Sequence, residues 1–162
     1  MTNTRKLQEL FIERGLTLAT AESCTGGNIA HLVTLKPGSS EYFRGAIVSY
    51  SNEVKVNVLG VNENDLMEFG AVSRQVALQM ANGVRDLMDA DYAVSTTGIA
   101  GPTGGSEEKP VGTVWIGVSS ANDSFGERFN FSGSRSEVIE KSTLKALQIL
   151  ENLVLKIELE ND

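Results

Sequence analysis

Apolar side chains recur along the chain with two alternating periods. Leu7, Leu10 and Phe11 stand at helical spacing within residues 4–14, and Gly15 ends the run. Residues 16–22, LTLATAE, read as a strand. Thr25-Gly26-Gly27 then opens a second helix with Ile29, Leu32 and Val33 inward, which stops before Lys36-Pro37-Gly38 because a residue preceding proline avoids the helical region. A second strand is predicted over 42–50 and a helix from Asn52 up to Gly60. Ser73 is a credible N-cap for a helix carrying Val76, Met80, Val84, Leu87 and Met88. Residues 91–98 turn to strand, and 112–120 with 127–133 form a hairpin across 121–126. From Ser136 a long helix places Val138, Ile139, Leu144, Leu147, Leu150 and Val154 on one face, and the acidic residues 158–162 are expected to fray.

Helix and strand alternating through the first hundred residues imply parallel crossovers with helices on both faces. The late hairpin adds an antiparallel strand. The expected architecture is a three-layer α/β/α sandwich with a mixed, mostly parallel sheet, built as one domain over residues 1–162. No internal repeat or linker composition interrupts it.

Charge narrows the choice of partners. A net charge of −7 opposes non-specific nucleic-acid binding, which draws on lysine and arginine against phosphates. An anionic ligand must therefore be held locally, by backbone amides or a few selected cations. The N-terminal residues mix charge into their apolar positions, so neither a signal peptide nor a membrane span is expected, and the reading is cytoplasmic. With one cysteine, Cys24, and one histidine, His31, neither an internal disulfide nor a zinc site is expected, and no cofactor is implied.

Ligands of open α/β sheets collect beyond the carboxyl ends of the strands, and three chemically unusual stretches fall there. Glu22-Ser23-Cys24-Thr25-Gly26-Gly27 leads a strand into a helix N-terminus, which suits a phosphate or carboxylate; it reads equally as a capped helix with glycines for close packing. Residues 96–110, TTGIAGPTGGSEEKP, follow a strand, bury almost nothing, and match neither Walker A nor GxGxxG spacing. Their position favours a binding loop. The third stretch, 37–55, supplies serines, Tyr50 and Lys55.

A serine nucleophile needs a base. His31 lies within the second helix and reads as structural or solvent-facing, so no Ser-His-Asp triad is expected. A buried lysine can take its place, because desolvation disfavours the ammonium. Lys55 follows the strand ending at Tyr50, so that Tyr50, Lys55 and the serines before that strand could converge at one sheet edge; a solvated helix lysine is the plainer reading of the spacing alone. Cys24 is a competing nucleophile near a helix N-terminus.

The motifs AESCTGG, GSSEYFRGAIVSYSNEVK, GAVS, TTGIAGPTGG and EEKPVGTVWIG, in this order, resemble the CinA C-terminal domain family over about residues 5–155. Stand-alone members of that family are nicotinamide mononucleotide deamidases. Larger members carry an additional N-terminal domain related to molybdopterin-binding proteins, so the resemblance extends to the amidohydrolase part. It implies hydrolysis of the nicotinamide carboxamide to nicotinate mononucleotide and ammonia in pyridine-nucleotide salvage, without cofactor or metal. It also implies Ser40 as nucleophile with Tyr50 and Lys55 as the activating pair, and Ser23, Thr97 and Arg135 in substrate binding or support. The ligand's phosphate would need the amides of the 25–27 turn or of the 98–105 loop, which includes Gly98 and Gly101, with Arg135 as a further candidate. The serine at 134 departs from an aspartate common before that arginine, and only the family match selects Ser40 over Ser39. A homodimer is expected by analogy with small α/β enzymes. The competing expectation is a non-catalytic nucleotide- or partner-binding module linked to competence or DNA damage, and a cysteine-dependent amidase using Cys24 is a third.

Overall fold

The computed structural model describes residues 4–161, with side chains described through residue 156. Its elements run α1 (Thr4–Glu13), β1 (Leu18–Glu22), α2 (Asn28–Thr34), a 3-10 turn (Ser39–Glu41), β2 (Phe43–Val48), α3 (Asn52–Asn57) and α4 (Glu63–Phe69). They continue with α5 (Arg74–Leu87), β3 (Tyr92–Gly98), β4 (Thr113–Ser119), β5 (Ser124–Asn130) and α6 (Arg135–Asn161). The five strands form one sheet in the order β2-β1-β3-β4-β5. Strand β1 pairs in parallel with β2 and β3, whereas β3–β4 and β4–β5 are antiparallel. The α/β sandwich is as expected and the sheet is mixed. Parallel pairing makes up half of the ladders rather than most of them, because the hairpin contributes a strand pair of its own and reverses β4 against β3.

Alternation along the strands sorts the core into two layers. Leu18, Val94, Val114, Ile116 and Val118 face α1, α2 and α6, where Phe11, Ile29, Leu147 and Leu150 complete the larger cluster. Ala19, Ala21 and Ala93 face Val76, Met80 and Val84 of α5. Small residues on that second face let α5 approach closely: Ser95 Oγ donates to Ala77 O at 2.6 Å, and a Cβ on Gly117 would lie 2.5 Å from the same oxygen. Each large apolar side chain buried here contributes about 1.5–3 kcal/mol. Ser73 caps α5 as anticipated, its Oγ accepting from Val76 N and donating to Gly70 O.

Three boundaries differ from the sequence reading. The hairpin closes earlier, with Ser119 opposite Ser124, because Ser120 N donates to Asp123 O and Ser120 Oγ accepts from Asp123 N. Polar groups close the turn, and Gly126, expected at the end of the connection, lies within the ladder opposite Gly117. Helix α4 was not anticipated; it is short and capped by Asn62, and its Met67 is largely exposed, so its apolar periodicity is slight. Helix α6 continues to Asn161, over residues 158–161 that were expected to fray and whose side chains lie outside the described residues, as does Asp162.

Candidate active site

Register brings three strand ends together. Glu22, the last residue of β1, is paired with Val48 of β2 on one side and Thr96 of β3 on the other. Chain leaving these ends builds the site. Ser23 follows β1 and is held by its own N–H donating to Thr96 O at 2.9 Å. Beyond β2, Ser51 caps α3 by accepting from Val54 N, and the turn of helix so fixed carries Lys55 inward to 1% exposure.

The Lys55 amine meets three oxygens: Ser49 O at 2.6 Å, Ser23 Oγ at 3.0 Å and Tyr50 O at 3.4 Å. None belongs to a carboxylate. Burial pushes its pKa below the ordinary 10.5, opposed by a weaker charge interaction with Cys24. A neutral amine has two N–H bonds and one lone pair. As an ammonium Lys55 donates to all three oxygens; on losing a proton it can keep its N–H groups on the two carbonyls and turn its lone pair to the Ser23 hydroxyl. This is the arrangement a lysine base requires.

Next to this pair lies a cavity of about 290 Å³. Tyr50, Asn52, Ala71, Thr97, Gly98 and the loop from Ile99 to Gly104 contribute to its wall, with Arg135 at the start of α6. Two basic side chains, Lys55 and Arg135, and no carboxylate line it, in a protein of net charge −7. Arg135 spans the mouth, donating to Gly101 O at 2.8 Å and to Tyr50 Oη at 3.1 Å. Thr97 is buried and donates to Ala71 O at 2.8 Å, joining β3 to the segment before α5. Further along, Lys109 Nζ donates to Phe69 O at 2.6 Å, and Arg128 donates to Glu108 O at 2.8 Å. The long glycine loop is thus fastened on both arms.

Of the residues singled out from sequence, Ser23, Tyr50, Lys55, Thr97, Gly98, Gly101 and Arg135 come together around this cavity. Ser40 does not. It precedes β2 while Tyr50 and Lys55 follow it, so the strand's length, about 20 Å at ~3.3 Å per residue, separates them within the chain. The hydroxyl on Lys55 is that of Ser23. Tyr50 reaches Lys55 through its carbonyl, which cannot carry a proton, and its phenol lies with Arg135 instead.

Thr25, Gly26 and Gly27 also stand apart, lining a separate groove between α2 and α6 together with the exposed His31. The anion site expected at α2 is occupied from within: Glu22, fully buried, accepts from Ile29 N at 2.9 Å and Ala30 N at 3.0 Å. Sequence reading quoted Glu22 without giving it this role. Strand parity holds the signal, since Leu18, Thr20 and Glu22 share one face and the last must turn toward α2.

Cys24 lines the cavity, but burial pushes its thiol up to about 12, with smaller opposing contributions led by a hydrogen bond with Thr96. At neutral pH it is a thiol rather than a thiolate nucleophile. No group of three or more potential metal-ligating side chains occurs among the described residues, and none of their helices is long and apolar enough to cross a membrane.

The motifs around this cavity have close counterparts. The family model of the CinA C-terminal domain matches residues 2–154. A CinA-like protein of Endomicrobium trichonymphae is 48% identical over 146 residues, which is 90% of this chain and 34% of that protein. A putative competence-damage inducible protein of Caldicellulosiruptor saccharolyticus is 49% identical over 149 residues, 91% of this chain and 36% of that protein. The chain therefore spans roughly a third of the length of these curated relatives. Among solved structures, the competence/damage inducible protein of Agrobacterium tumefaciens superposes with a TM-score of 0.91 at 42% identity, covering 93% of this chain and 92% of its own. A CinA superfamily protein of Escherichia coli gives 0.89 at 32% identity, covering 93% and 87%. Match and superposition extend over nearly the whole sequence, and the chain belongs to the CinA C-terminal domain family.

Proposed function

We propose that this chain is a Ser/Lys amidohydrolase that converts nicotinamide mononucleotide and water to nicotinate mononucleotide and ammonia. The observation that carries the reading is the Lys55 amine at 3.0 Å from Ser23 Oγ, buried and free of any carboxylate partner. Family membership is consistent with it.

In this mechanism Ser23 Oγ attacks the carboxamide carbon while its proton passes to Lys55 Nζ. The tetrahedral adduct collapses as Lys55 returns that proton to the departing nitrogen, releasing ammonia and leaving an ester on Ser23. Water then attacks the ester, gives its proton through Lys55 to Ser23 Oγ, and frees the carboxylate. Arg135, with the Tyr50 phenol beside it, receives the ligand's phosphate at the cavity mouth, which suits a protein whose overall field repels anions. Thr97 and the glycine loop hold the wall against which the ring and ribose lie.

The test is ammonia release from nicotinamide mononucleotide by the wild type and by Lys55→Met, with free nicotinamide alongside. Turnover of the nucleotide that disappears in the variant, with free nicotinamide a poor substrate, supports the reading. A wild type that binds the nucleotide yet releases no ammonia refutes it.

A further inference from the structure

Glu22 lies outside the cavity that holds Ser23 and Lys55, yet everything near the end of β1 points at it. Its Oε1 accepts from Thr25 Oγ1 at 2.6 Å and from Ile29 N at 2.9 Å, and its Oε2 accepts from Ala30 N at 3.0 Å. Thr25 Oγ1 also lies 2.7 Å from Thr96 Oγ1, where distance alone assigns no donor. The carboxylate settles that. Thr25 has one hydroxyl hydrogen and gives it to Glu22, so Thr96 must donate to Thr25. Thr96, its one hydrogen given to Thr25, then has none left for the Cys24 sulfur. Protons thus point one way along Thr96 and Thr25 toward Glu22. Residues 22–25 are consecutive, and the nucleophile proposed above is the second of them.

We propose that Glu22 is a positioning residue: its buried carboxylate sets the direction of this hydrogen-bond chain and so fixes the turn that aims the Ser23 hydroxyl at Lys55. The catalytic consequence rests on Ser23 and Lys55 being the reacting pair; the direction of the chain does not. Burial holds the Cys24 thiol pKa up, and the charged groups acting on that sulfur are Glu22 from β1, which raises it, and Lys55 from α3, which lowers it.

A glutamine at 22 cannot reproduce the pattern, because both carboxylate oxygens accept and an amide would set its NH₂ against donors. In Thr25→Val the contacts of Glu22 with Ile29 N and Ala30 N persist and only the link to the turn is cut, which separates positioning from helix capping. Glu22→Gln and Thr25→Val are each expected to lower kcat for nicotinamide mononucleotide by roughly 10–100-fold with little change in KM, since displacement of a reacting group by about 1 Å costs on that order. Thr25→Ser, which keeps the hydroxyl, should restore most of kcat. Alkylation of Cys24 by iodoacetamide at pH 8 provides an arm that needs no turnover. In Thr25→Val the Thr96 hydrogen loses its acceptor and turns to the sulfur, so alkylation should quicken by about tenfold in protein that is folded by circular dichroism. A kcat within twofold of wild type in both Glu22→Gln and Thr25→Val, or a loss confined to KM, overturns the assignment. Absence of turnover in the wild type refutes the amidohydrolase reading, and alkylation then decides this one alone: equal rates in wild type and Thr25→Val overturn it.

Discussion

Ser23→Ala and Ser40→Ala separate the serine that lies on Lys55 from the serine that the family resemblance implies as nucleophile. Ser23 is half-buried, and among the described residues its Oγ is the side-chain oxygen that Lys55 Nζ meets, at 3.0 Å. Removing it removes the nucleophile, and loss of such a group costs about 10⁴-fold or more in kcat. At ~1.36 kcal/mol per decade this is roughly 5 kcal/mol or more of transition-state stabilisation. The cost to folding is far smaller, about 1 kcal/mol for one hydrogen bond, which lowers the melting temperature of a chain this size by ~2–4 °C. Ser40 is exposed at the other end of β2, and its replacement should leave kcat within about twofold, the ordinary range for a surface change. Steady-state ammonia release from nicotinamide mononucleotide, with melting curves on the same preparations, reads both quantities. Ser40→Ala losing activity by orders of magnitude while Ser23→Ala keeps more than a tenth would refute the assignment by strand end.

Activity should rise with pH along a limb set by Lys55, because a base acts deprotonated and burial holds this amine below its ordinary 10.5; a pH profile of kcat/KM checks it, and Lys55→Arg should abolish turnover across the range. The same shift has a stability sign: between the folded pKa and 10.5 the unfolded chain binds the extra proton, so the contribution of Lys55 to stability grows as pH rises through that window. Arg135→Ala should raise KM by about tenfold or more through loss of charge-assisted contacts, and Arg135→Lys should recover only part, since one ammonium cannot replace the guanidinium fork that spans Gly101 O and Tyr50 Oη. Gly83→Ala should destabilise by about 1–3 kcal/mol, read as a lower melting temperature, because its Cβ would intrude on the carbonyl of Leu59.

Much of this arrangement was legible in the residues. Ser73, Val76, Met80 and Val84 announced α5 through a cap and a 3.6-residue period, and the layering followed from the alternation of elements. What escaped was set by partners distant in sequence. Tyr50 and Lys55 were expected to act as a pair; the chain turns at Ser51 so that backbone carbonyls face the amine and the ring faces Arg135, 85 positions on. The amides at the start of α2 looked free for a phosphate; whether a helix end is open depends on what the neighbouring strand buries beside it, here Glu22.

Ser40 carries a different lesson, because the information needed to place it was already present. In a parallel sheet every strand runs the same way, so residues preceding one strand and residues following another lie at opposite edges. Strands β1, β2 and β3 are parallel and adjacent in the order β2-β1-β3, which gathers Ser23, Tyr50, Lys55 and Thr97 at one edge and leaves Ser40 at the other. Antiparallel β4 adds to the same edge, since the loop from Ile99 to Gly112 joins the end of β3 to the start of β4 without crossing the sheet. The site is therefore as local as the topology requires. A hydroxyl at Ser40 could reach Lys55 only from another copy of the chain, and a mixture of Ser40→Ala with Lys55→Met distinguishes the cases. If Ser23 is the nucleophile within each chain, activity of the mixture equals the sum of its components; if Ser40 acts across copies, mixing restores turnover that a concentrated Ser40→Ala preparation lacks.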